Sequence, residues 1–542
     1  MLTIALLLAA AAIGYGIAQW LRLPPTPVLV LAGIGLARFH VVPGGLLQDA
    51  LILGVTFLLF VTGIELNPRR VRAQKHAALR VGLLQFIAVG CAGLGTALLL
   101  GLNGLSAVYV ALALTASSTL VVVRLLQSRR QLFEPAARLV TGVLLLQDLL
   151  VIALIPVITE LAAGIVPALI GSAGTLVLIA LAWACSRWVA PLLLRISREE
   201  ELLLLAALAV LFLFIGISAA FRLPLAAGAF LAGVGLSRFP VDGVIRPQLG
   251  PISDFFTAIF FTALGAIVPV PTLADFGRAV ALALVVVVLT PPIVAIVAER
   301  YGFSSRQSIE SGLLLAQTSE ISLVVGLSGL LAQQIDASVF SIIAIVAVIT
   351  MVLTPFLATD RVVWWLMRHR PARSTPPLDL PDSGHVLLLG TGSTGMPLLE
   401  TLLGAGYNVV VVDDDPAVIA RLRDAEIPCI RGDATDPSVL RQANADRAFV
   451  ISSTIRRPED NRRLLEFARG VPAFVRVFDE QDARWIEAMG GRPIVYSEAA
   501  ADAMLIWFDR ERERLDARVR GERGATTSGI GEEEGAGVGG GG

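Results

Sequence analysis

Between Leu2 and Ala358 the sequence is a succession of apolar runs, each close in length to the roughly 20 residues that a helix needs to cross a bilayer. Apolar residues make up 55% of the chain and charged residues 16%, a balance well outside that of soluble domains. The runs are apolar on every face, whereas the strands of an outer-membrane barrel alternate with a period of two. The sequence therefore predicts an α-helical polytopic membrane protein.

Thirteen apolar segments in this region are candidate transmembrane helices, which we call spans one to thirteen. Their approximate bounds are 2–20, 24–41, 47–66, 77–101, 104–124, 135–160, 164–187, 201–221, 223–237, 253–270, 277–298, 308–332 and 337–359.

Arginine and lysine are concentrated in alternate loops between these spans. The loops after spans three, five and seven contain Arg69, Arg70, Arg72, Lys75, Arg80, Arg124, Arg129, Arg130, Arg138, Arg187, Arg195 and Arg198. The loops after even-numbered spans contain Arg38, Arg222 and Arg278. Because cytoplasmic loops retain positive charge, we expect the N-terminus outside the cell and all residues after Ala358 in the cytoplasm.

One phrase occurs twice, as LAGIGLARF at 31–39 and as LAGVGLSRF at 231–239. The two copies fall in spans two and nine, which are seven crossings apart and therefore opposite in orientation. A second similarity relates the stretch that begins at Thr119 in span five to the stretch that begins at Ser322 in span twelve. These two similarities predict inverted repeats, which many secondary transporters use to expose a midplane site to each side of the membrane in turn.

Two carboxylates lie in the middle of apolar spans, where an ionisable group is costly and marks a functional site by default. Asp148 follows Gln147 in span six, and Glu320 lies in span twelve. A protonated carboxyl is neutral, whereas a bound cation favours the charged form, so proton and cation compete for one group. The sequence therefore predicts coupled exchange at Asp148. For Asp148 the alternative is a structural role, neutral and hydrogen-bonded between helices. For Glu320 the alternative is that it stabilises an interrupted backbone or pairs with an arginine.

Polar clusters in spans five and twelve are candidate ligands for a hard cation. They consist of Thr115, Ser117, Ser118 and Thr119 in span five and of Gln317, Thr318 and Ser319 in span twelve. Their oxygens suit such an ion, but Ser and Thr in helices often bond their own preceding carbonyls instead. At the level of the sequence both interpretations stay open.

The composition changes after the last apolar span. We take 1–365 as the transmembrane exchanger domain and 366–383, rich in proline and polar residues, as a linker. Residues 384–500 form a second domain, and 501–542 form a charged helix followed by a glycine-rich disordered tail.

A nucleotide-binding pattern opens the second domain. A strand that begins at His385 leads into the glycine pattern G-x-G-x-x-G and a helix, and a second strand ends at Asp413. Glycines let backbone amides approach a phosphate at a helix N-terminus, and the acid accepts ribose hydroxyls. We therefore predict a Rossmann-like α/β domain with a doubly wound sheet. The binding residues predicted from this pattern are Gly390, Gly392, Ser393, Thr394, Gly395 and Asp413.

Other classes of function fit less well. A dehydrogenase would need a substrate domain with a general acid or base after this fold, and the sequence offers a charged helix and a glycine-rich end instead. A net charge of -1 gives no reason to expect nucleic acid as a partner. The cysteines Cys91, Cys185 and Cys429 lack metal spacing, so we expect no metal beyond a transported cation.

The motifs Gly63-Ile-Glu-Leu, Ala113-Leu-Thr-Ala-Ser-Ser-Thr-Leu and Leu146-Gln-Asp-Leu-Leu-Val-Ile resemble the Kef-type branch of the monovalent cation/proton antiporters. Leu315-Ala-Gln-Thr-Ser-Glu-Ile is similar to that branch's Gln-Gly-Gly-Glu-Phe stretch, with Thr318 and Ser319 in place of glycines. The resemblance implies an NhaA-like fold in which spans five and twelve are broken and cross near Asp148. It also implies a dimer-facing panel of spans one to three and eight to ten, and a moving core of spans four to six and eleven to thirteen.

The second domain is similar to the Trk-type (RCK/KTN) domain that regulates potassium channels and transporters. The similarity rests on the Val-Val-Asp-Asp-Asp-Pro and Gly-Asp-Ala-Thr-Asp phrases and implies that Asp414, Asp433 and Ala434 join the nucleotide site. Such domains sense nucleotides and usually dimerise. The expected ligand is NAD(H) or an adenine nucleotide, and the expected assembly is a homodimer surrounded by lipid in a bacterial inner membrane.

Electrogenic relatives carry paired acids at the position of Gln147 and Asp148 and a membrane lysine in the second repeat. This chain has one acid there, and its only lysine is Lys75, in a loop. The expected function is thus electroneutral antiport of a monovalent cation against protons, with potassium favoured over sodium, and the chain is expected to be a transporter and not an enzyme. The site residues are Asp148, Gln147, Thr115, Ser117, Ser118, Glu320 and Ser319. The alternatives are a sodium/proton antiporter of this fold and a nucleotide-gated potassium channel or uptake subunit.

Overall fold

The computed structural model describes residues 2–21, 23–37, 44–65, 75–128, 135–192, 200–221, 223–237, 241–368, 380–391, 395–455, 458–468, 470–478 and 480–519. The chain divides into two compact units, Met1–Pro371 and Ala372–Gly542. The first unit is helical and the second is built on a β-sheet.

The helices of the first unit follow the apolar segments of the sequence. They are α1 (Leu2–Leu21), α2 (Pro25–Ala37), α3 (Gly44–Glu65), α4 (Lys75–Leu99), α5 (Gly104–Thr115), α6 (Thr119–Ser128), α7 (Pro135–Ala163) and α8 (Ile165–Ala184), which runs on into a π-helical turn (Cys185–Val189). The remainder are α9 (Glu200–Ala220), α10 (Leu225–Leu236), α11 (Val241–Ile267), α12 (Leu273–Arg300), α13 (Ser305–Leu315), α14 (Glu320–Leu331), α15 (Ala337–Leu357) and α16 (Asp360–Arg368).

In the part of the chain that the structure describes, nine helical segments are long and apolar enough to cross a membrane. Shorter apolar stretches in this part of the chain, Ala5–Leu21, Pro25–Ala37, Ala50–Ile64 and Leu225–Leu236, lie in α1, α2, α3 and α10. The predicted class, a helical polytopic membrane protein, is confirmed. The number of thirteen crossings stays a prediction.

The helices sort into two bundles. Helices α1 to α3 pack with α9 to α11, and we call this group the panel; α4 to α7 pack with α12 to α15, and we call this group the core. Each group combines one set of helices from each predicted repeat. Contacts between the groups include α2 against α15 and α7 against α10.

The panel shows the repeat as a symmetric pair of close helix contacts. Helix α2 packs on α11 through Gly33 and Gly265, and α10 packs on α3 through Gly233 and Gly63. At each of these glycines a Cβ would overlap backbone atoms of the opposite helix. Small residues that let two backbones approach closely are a common basis for helix association in membranes. The repeated phrase therefore encodes the closest contacts of the panel.

Helix α16 is a structural feature that the sequence did not predict, and it extends into the predicted linker. Its Asp360 carboxylate accepts a hydrogen bond of 2.9 Å from Arg306 at the start of α13, and the Arg306 guanidinium lies 5.4 Å from the centre of the Trp364 ring. Arg306 is buried, so its charge is compensated by the ion pair and by the ring face. Helix α16 is thereby fixed to α13, the first half of a broken span.

The second unit contains a six-stranded parallel sheet of order β3-β2-β1-β4-β5-β6. The strands are β1 (Val386–Leu389), β2 (Val409–Asp413), β3 (Cys429–Arg431), β4 (Val450–Ser453), β5 (Ala473–Val477) and β6 (Arg492–Val495). The helices are α17 (Gly395–Gly404), α18 (Pro416–Asp424), α19 (Pro437–Gln442), α20 (Pro458–Phe467), α21 (Glu480–Ala488) and α22 (Tyr496–Val519). The order reverses between β1 and β4, which is the doubly wound topology that the sequence predicted.

A buried histidine directly before β1 is expected to make the second unit less stable in acid. His385 Nε2 lies 3.0 Å from the Ala443 carbonyl, and Nδ1 has no partner among the described residues. Burial lowers the pKa of His385, and the bond to Ala443 opposes that effect only in part. Below its ordinary pKa the unfolded chain binds more protons than the folded one, so stability is lost as the pH falls.

We therefore expect protection of the β1 amides against hydrogen exchange, corrected for intrinsic rates, to fall as the pH is lowered below about 6.5. In His385→Gln the side chain does not titrate, and this pH dependence should be reduced. An unchanged dependence in the variant would mean that other groups cause it.

Candidate functional site

Two helices of the core are interrupted in the middle of the unit. Residues 116–118 separate α5 from α6, and residues 316–319 separate α13 from α14. Ser319 is the N-cap of α14, where its side chain accepts from the Ile321 N–H, and Ser322 completes a capping box. Ser and Thr side chains replace backbone partners at helix ends. The polar clusters of spans five and twelve therefore mark the two interruptions.

The interruptions satisfy each other's free carbonyl groups. The last carbonyls of a helix have no partner within it. Ser117 Oγ donates to the Leu315 carbonyl at 2.8 Å, and Ser322 Oγ donates to the Ala113 carbonyl. Helices α5 and α14 also pack together. Each hydroxyl uses its proton on the other broken helix. Ser117 Oγ keeps lone pairs that a cation can bind, whereas Ser322 Oγ also accepts from the Ser319 N–H.

Asp148 lies in α7 beside the first interruption and is 1% exposed. Its Oδ2 accepts a hydrogen bond of 3.1 Å from the Thr119 hydroxyl, at the start of α6. The carboxylate is therefore buried next to the positive end of a short helix, an arrangement that stabilises negative charge.

Gln147 is tied to the backbone of the same interruption. Its Oε1 accepts from the Ser117 N–H at 3.0 Å, and its Nε2 donates to Gln85 Oε1 in α4. All three residues are buried. An unwound segment inside a membrane needs internal partners for its backbone, and Gln147 supplies one.

The other predicted residues of this site lie around the two interruptions. Thr115 donates to the Leu112 carbonyl at 2.7 Å, which is the local bond typical of helical threonine. Ser118 Oγ accepts from the Val121 N–H at 3.2 Å and so caps α6. Ser319 caps α14, and Glu320 is the first residue of that helix and is buried.

A cavity of about 400 Å³ lies between the panel and the core. Its wall includes Thr119, whose hydroxyl bonds to Asp148, and the carboxylate-bearing residue Glu320. Arg124 of α6 and Asp254 of α11 also line it. The hydroxyl-bearing residues Tyr15, Thr26, Thr62, Ser253 and Thr257 contribute to its wall. The cavity can hold water and small ions beside the buried acid.

In the second unit the glycines have distinct structural roles. Gly390 follows β1 with φ +81, a conformation that favours glycine. A Cβ on Gly395, the first residue of α17, would overlap the Gly390 carbonyl. The turn between strand and helix therefore needs a glycine at both positions. The predicted residues Gly392, Ser393 and Thr394 lie outside the described residues.

Asp413 ends β2 and holds the turn after β1. Its Oδ2 accepts from the Thr391 N–H at 2.6 Å and from the Thr391 hydroxyl, and its Oδ1 accepts from the Asp415 N–H at 2.9 Å. The carboxylate thus lies at the carboxyl ends of β1 and β2, beside the turn that the glycine pattern predicts to bind phosphate.

The remaining predicted residues follow β2 and β3. Asp414 is next to Asp413 and is half-buried. Asp433 accepts from the Thr435 N–H at 2.8 Å, and Ala434 is buried between them. These positions are at the same edge of the sheet as Asp413, because β2 and β3 are parallel neighbours.

Four polar residues at these sites were not predicted. Gln85, Ser322 and Thr350 hold the interruptions, the last through a bond of 3.1 Å from the Thr318 N–H, and Thr454 donates to the Gly390 carbonyl at 2.9 Å. The signal for Thr454 was available, because the carboxyl end of β4 adjoins β1 at the point where the strand order reverses. Gln85 had a weaker signal, as a single amide in a long apolar run.

Known proteins resemble both units. Residues 6–359 match the sequence model of the transmembrane sodium/hydrogen exchangers, and residues 386–497 match that of the TrkA-N domain. The glutathione-regulated potassium-efflux system protein KefC of Enterobacter sp. (strain 638) is 28% identical over 429 residues, which is 77% of this chain and 68% of the relative. The protein of the same name from Cronobacter sakazakii (strain ATCC BAA-894) is 28% identical over 475 residues, with 82% and 75% covered.

A solved structure confirms the fold of the first unit. The sodium proton antiporter MjNhaP1 from Methanocaldococcus jannaschii, determined at pH 8, superposes with a TM-score of 0.52 and 16% identity. The match covers 68% of this chain and 98% of that structure.

Proposed function

Since this chain belongs to the sodium/hydrogen exchanger family and is thus a cation/proton antiporter, we propose that its cation is potassium and that Asp148 carries proton and cation in turn. The observation that supports this most directly is the position of Asp148. It is a buried carboxylate beside the first interrupted helix, where the Thr119 hydroxyl donates to it and Ser117 Oγ keeps lone pairs for an ion.

The proposed cycle uses competition at one carboxyl group. A cation that enters the cavity favours the charged form of Asp148 and displaces its proton, and protonation from the other side releases the cation. Thr119 donates to the charged form, and Glu320 adds a second carboxylate in the wall of the cavity. Ser117, Ser118, Ser319 and Thr115 are proposed to complete the coordination.

The charge count supports electroneutral exchange. The residue next to Asp148 in the proposed site is Gln147 and not a second acid, and the only lysine, Lys75, is the first residue of α4 at the end of the bundle. With a single titrating acid at the centre, one proton leaves for each monovalent cation that binds. Glu320, at the edge of the cavity, is proposed to attract the cation and not to exchange a proton.

The cavity also supports an assignment of the conformational state. Arg124 and Asp254 are among its lining residues, and by the distribution of basic loops both lie toward the cytoplasmic ends of their helices. We propose that this conformation is open to the cytoplasm and that the core moves against the panel to open the other side. We also propose that the protein is a homodimer in the bacterial inner membrane, with the panel at the contact between the two chains.

Proton release from reconstituted vesicles tests the cation. Purified full-length protein is incorporated into proteoliposomes with a pH-sensitive dye inside, and potassium or sodium chloride is added outside. We expect the dye to report cation-dependent proton movement with a lower KM for potassium than for sodium and with no effect of a membrane potential. A lower KM for sodium would make the chain a sodium/proton antiporter of the same fold.

We further propose that the second unit regulates exchange by binding NAD(H) or an adenine nucleotide. The support is the turn formed by Gly390 and Gly395 at the N-terminus of α17, with Asp413 beside it. Helix N-termini bind phosphate through free N–H groups, and a carboxylate at the end of β2 suits ribose hydroxyls.

Asp413→Ala is expected to weaken nucleotide binding by the full-length protein on the order of tenfold to a hundredfold, because hydrogen bonds to a charged group are each worth roughly 1.5–3 kcal/mol. Calorimetry with NADH and with ADP measures the change. Asp424→Ala, which removes an exposed carboxylate at the end of α18, serves as the control and should bind as the unmodified chain does. Equal affinity in Asp413→Ala would remove this acid from the site.

A further inference from the structure

A continuous line of buried polar groups crosses the core next to Asp148. It begins at Gln85 in α4, which is 1% exposed. Gln85 Oε1 accepts from Gln147 Nε2, Gln147 Oε1 accepts from the Ser117 N–H, and Ser117 Oγ donates to the Leu315 carbonyl. Four elements of the core are joined by this line: α4, α7 and both interruptions.

The two neighbours of Gln147 fix the direction of its amide. The Ser117 N–H is a donor, so it is satisfied by the oxygen of the amide and not by the nitrogen. Gln147 Nε2 then faces Gln85, which must present its own oxygen. With this arrangement both polar atoms of the Gln147 amide bond to protein groups, so the amide cannot turn without losing a hydrogen bond.

We infer that Gln85 is a positioning residue for ion exchange, which holds the Gln147 amide in the orientation that fixes residues 116–118 beside Asp148. In this role Gln147 acts on the backbone of the interruption through its Oε1. The inference rests on the proposed exchange at Asp148.

The physical reason is the position of Thr119, which comes directly after residues 116–118. Its hydroxyl donates to Asp148 Oδ2, so a shift of this segment moves the group that contacts the carboxylate. Without the oxygen of Gln85, Gln147 Nε2 is left buried without an acceptor, and a buried polar group in that state is costly. Rotation of the amide would relieve this cost but would place a donor against the Ser117 N–H.

Two substitutions of Gln85 separate the hydrogen bond from the shape of the side chain. In Gln85→Leu the acceptor is lost, and we expect the KM for potassium in proteoliposomes to rise roughly tenfold. In Gln85→Glu an oxygen remains at the same place, and the KM should stay within about twofold of the unmodified value, as expected where an acceptor is retained. A wild-type KM in Gln85→Leu, or an equal loss in both variants, overturns the inference.

A double-mutant cycle gives a second test that does not depend on the introduced carboxylate. In Gln147→Leu there is no amide to orient, so adding Gln85→Leu should change the KM no further. If the two effects multiply instead, the residues act independently and the inference is wrong.

Thr290→Val is the matched control. It removes another fully buried polar group of the core, on α12, whose hydroxyl has no hydrogen-bond partner among the described residues. We expect a wild-type KM for this variant. Melting of each purified variant in detergent shows whether it is folded, which separates a change of site geometry from general loss of structure.

Failure of the proposed function and failure of the inference on Gln85 give different results. If the unmodified protein exchanges no cation, the proposed function itself fails. If it exchanges cations and Asp148→Asn does not, while Gln85→Leu keeps a wild-type KM, then the positioning role of Gln85 alone is excluded.

Discussion

Asp148→Asn is expected to abolish cation-dependent proton movement in proteoliposomes while leaving the protein folded. Asparagine has nearly the shape of aspartate and still accepts a hydrogen bond from the Thr119 hydroxyl, which contacts Asp148 at 3.1 Å. It neither binds a proton near neutral pH nor carries the negative charge that a bound cation requires. With both halves of the exchange removed, the loss should be complete at every pH and cation concentration.

Glu160→Gln provides the control for this prediction. Glu160 is a carboxylate near the end of the same helix, α7, and is not among the residues of the proposed site. Its replacement changes the net charge by the same amount as Asp148→Asn, and exchange should remain close to that of the unmodified protein. Exchange that persists in Asp148→Asn at the wild-type rate would contradict the central role of this acid.

Gly33→Ala and Gly233→Ala are expected to be strongly destabilising, although each adds a single methyl group. The new Cβ of Gly33→Ala would overlap the Thr262 carbonyl in α11, and that of Gly233→Ala would overlap the Phe60 carbonyl in α3. Added atoms in a packed core cost roughly 1–3 kcal/mol when side chains can adjust. Here the obstacle is backbone, so two helices must separate. We expect large decreases in melting temperature in detergent and in the yield of folded protein.

Gly35→Ala tests whether position or chemistry causes the loss. Gly35 lies two residues further along the same repeated phrase, and a Cβ there meets nothing within 4 Å. Alanine favours a helix over glycine by roughly 1 kcal/mol, so this variant should melt at or above the wild-type temperature. Equal destabilisation by Gly33→Ala and Gly35→Ala would show that the close contact of α2 with α11 is not the cause.

Parts of the site can be predicted from the sequence because they depend on local chemistry. Asp148 is conspicuous as an acid within an apolar run, and the strand, glycine pattern and acid of the second unit occur at a spacing that defines the doubly wound fold. Hydropathy did not predict the interruptions of spans five and twelve. They were implied by resemblance, because an apolar average over a segment does not register a break of three or four residues.

Other residues could not be assigned from the sequence because their roles depend on partners far along the chain. Ser117 bonds to a carbonyl 198 residues away, and Gln85 bonds to an amide 62 residues away. By sequence alone, Ser117 and Gln147 are equivalent candidates for cation ligands. Their hydrogen bonds differ: Ser117 Oγ donates its proton to a distant carbonyl, whereas both polar atoms of the Gln147 amide bond to protein groups.

By itself the sequence determined the membrane class and the presence of a doubly wound nucleotide fold after it, and it predicted Asp148 as the central carboxylate. These properties depend on residues that are close together in the sequence, because hydropathy, charge distribution and short motifs do not involve distant contacts. Only the tertiary structure decided which glycines of the repeated phrase meet backbone, and which polar groups hold the interrupted helices. The physical reason is that a buried hydrogen bond or a close helix contact belongs to a pair of atoms that come together only when the chain folds.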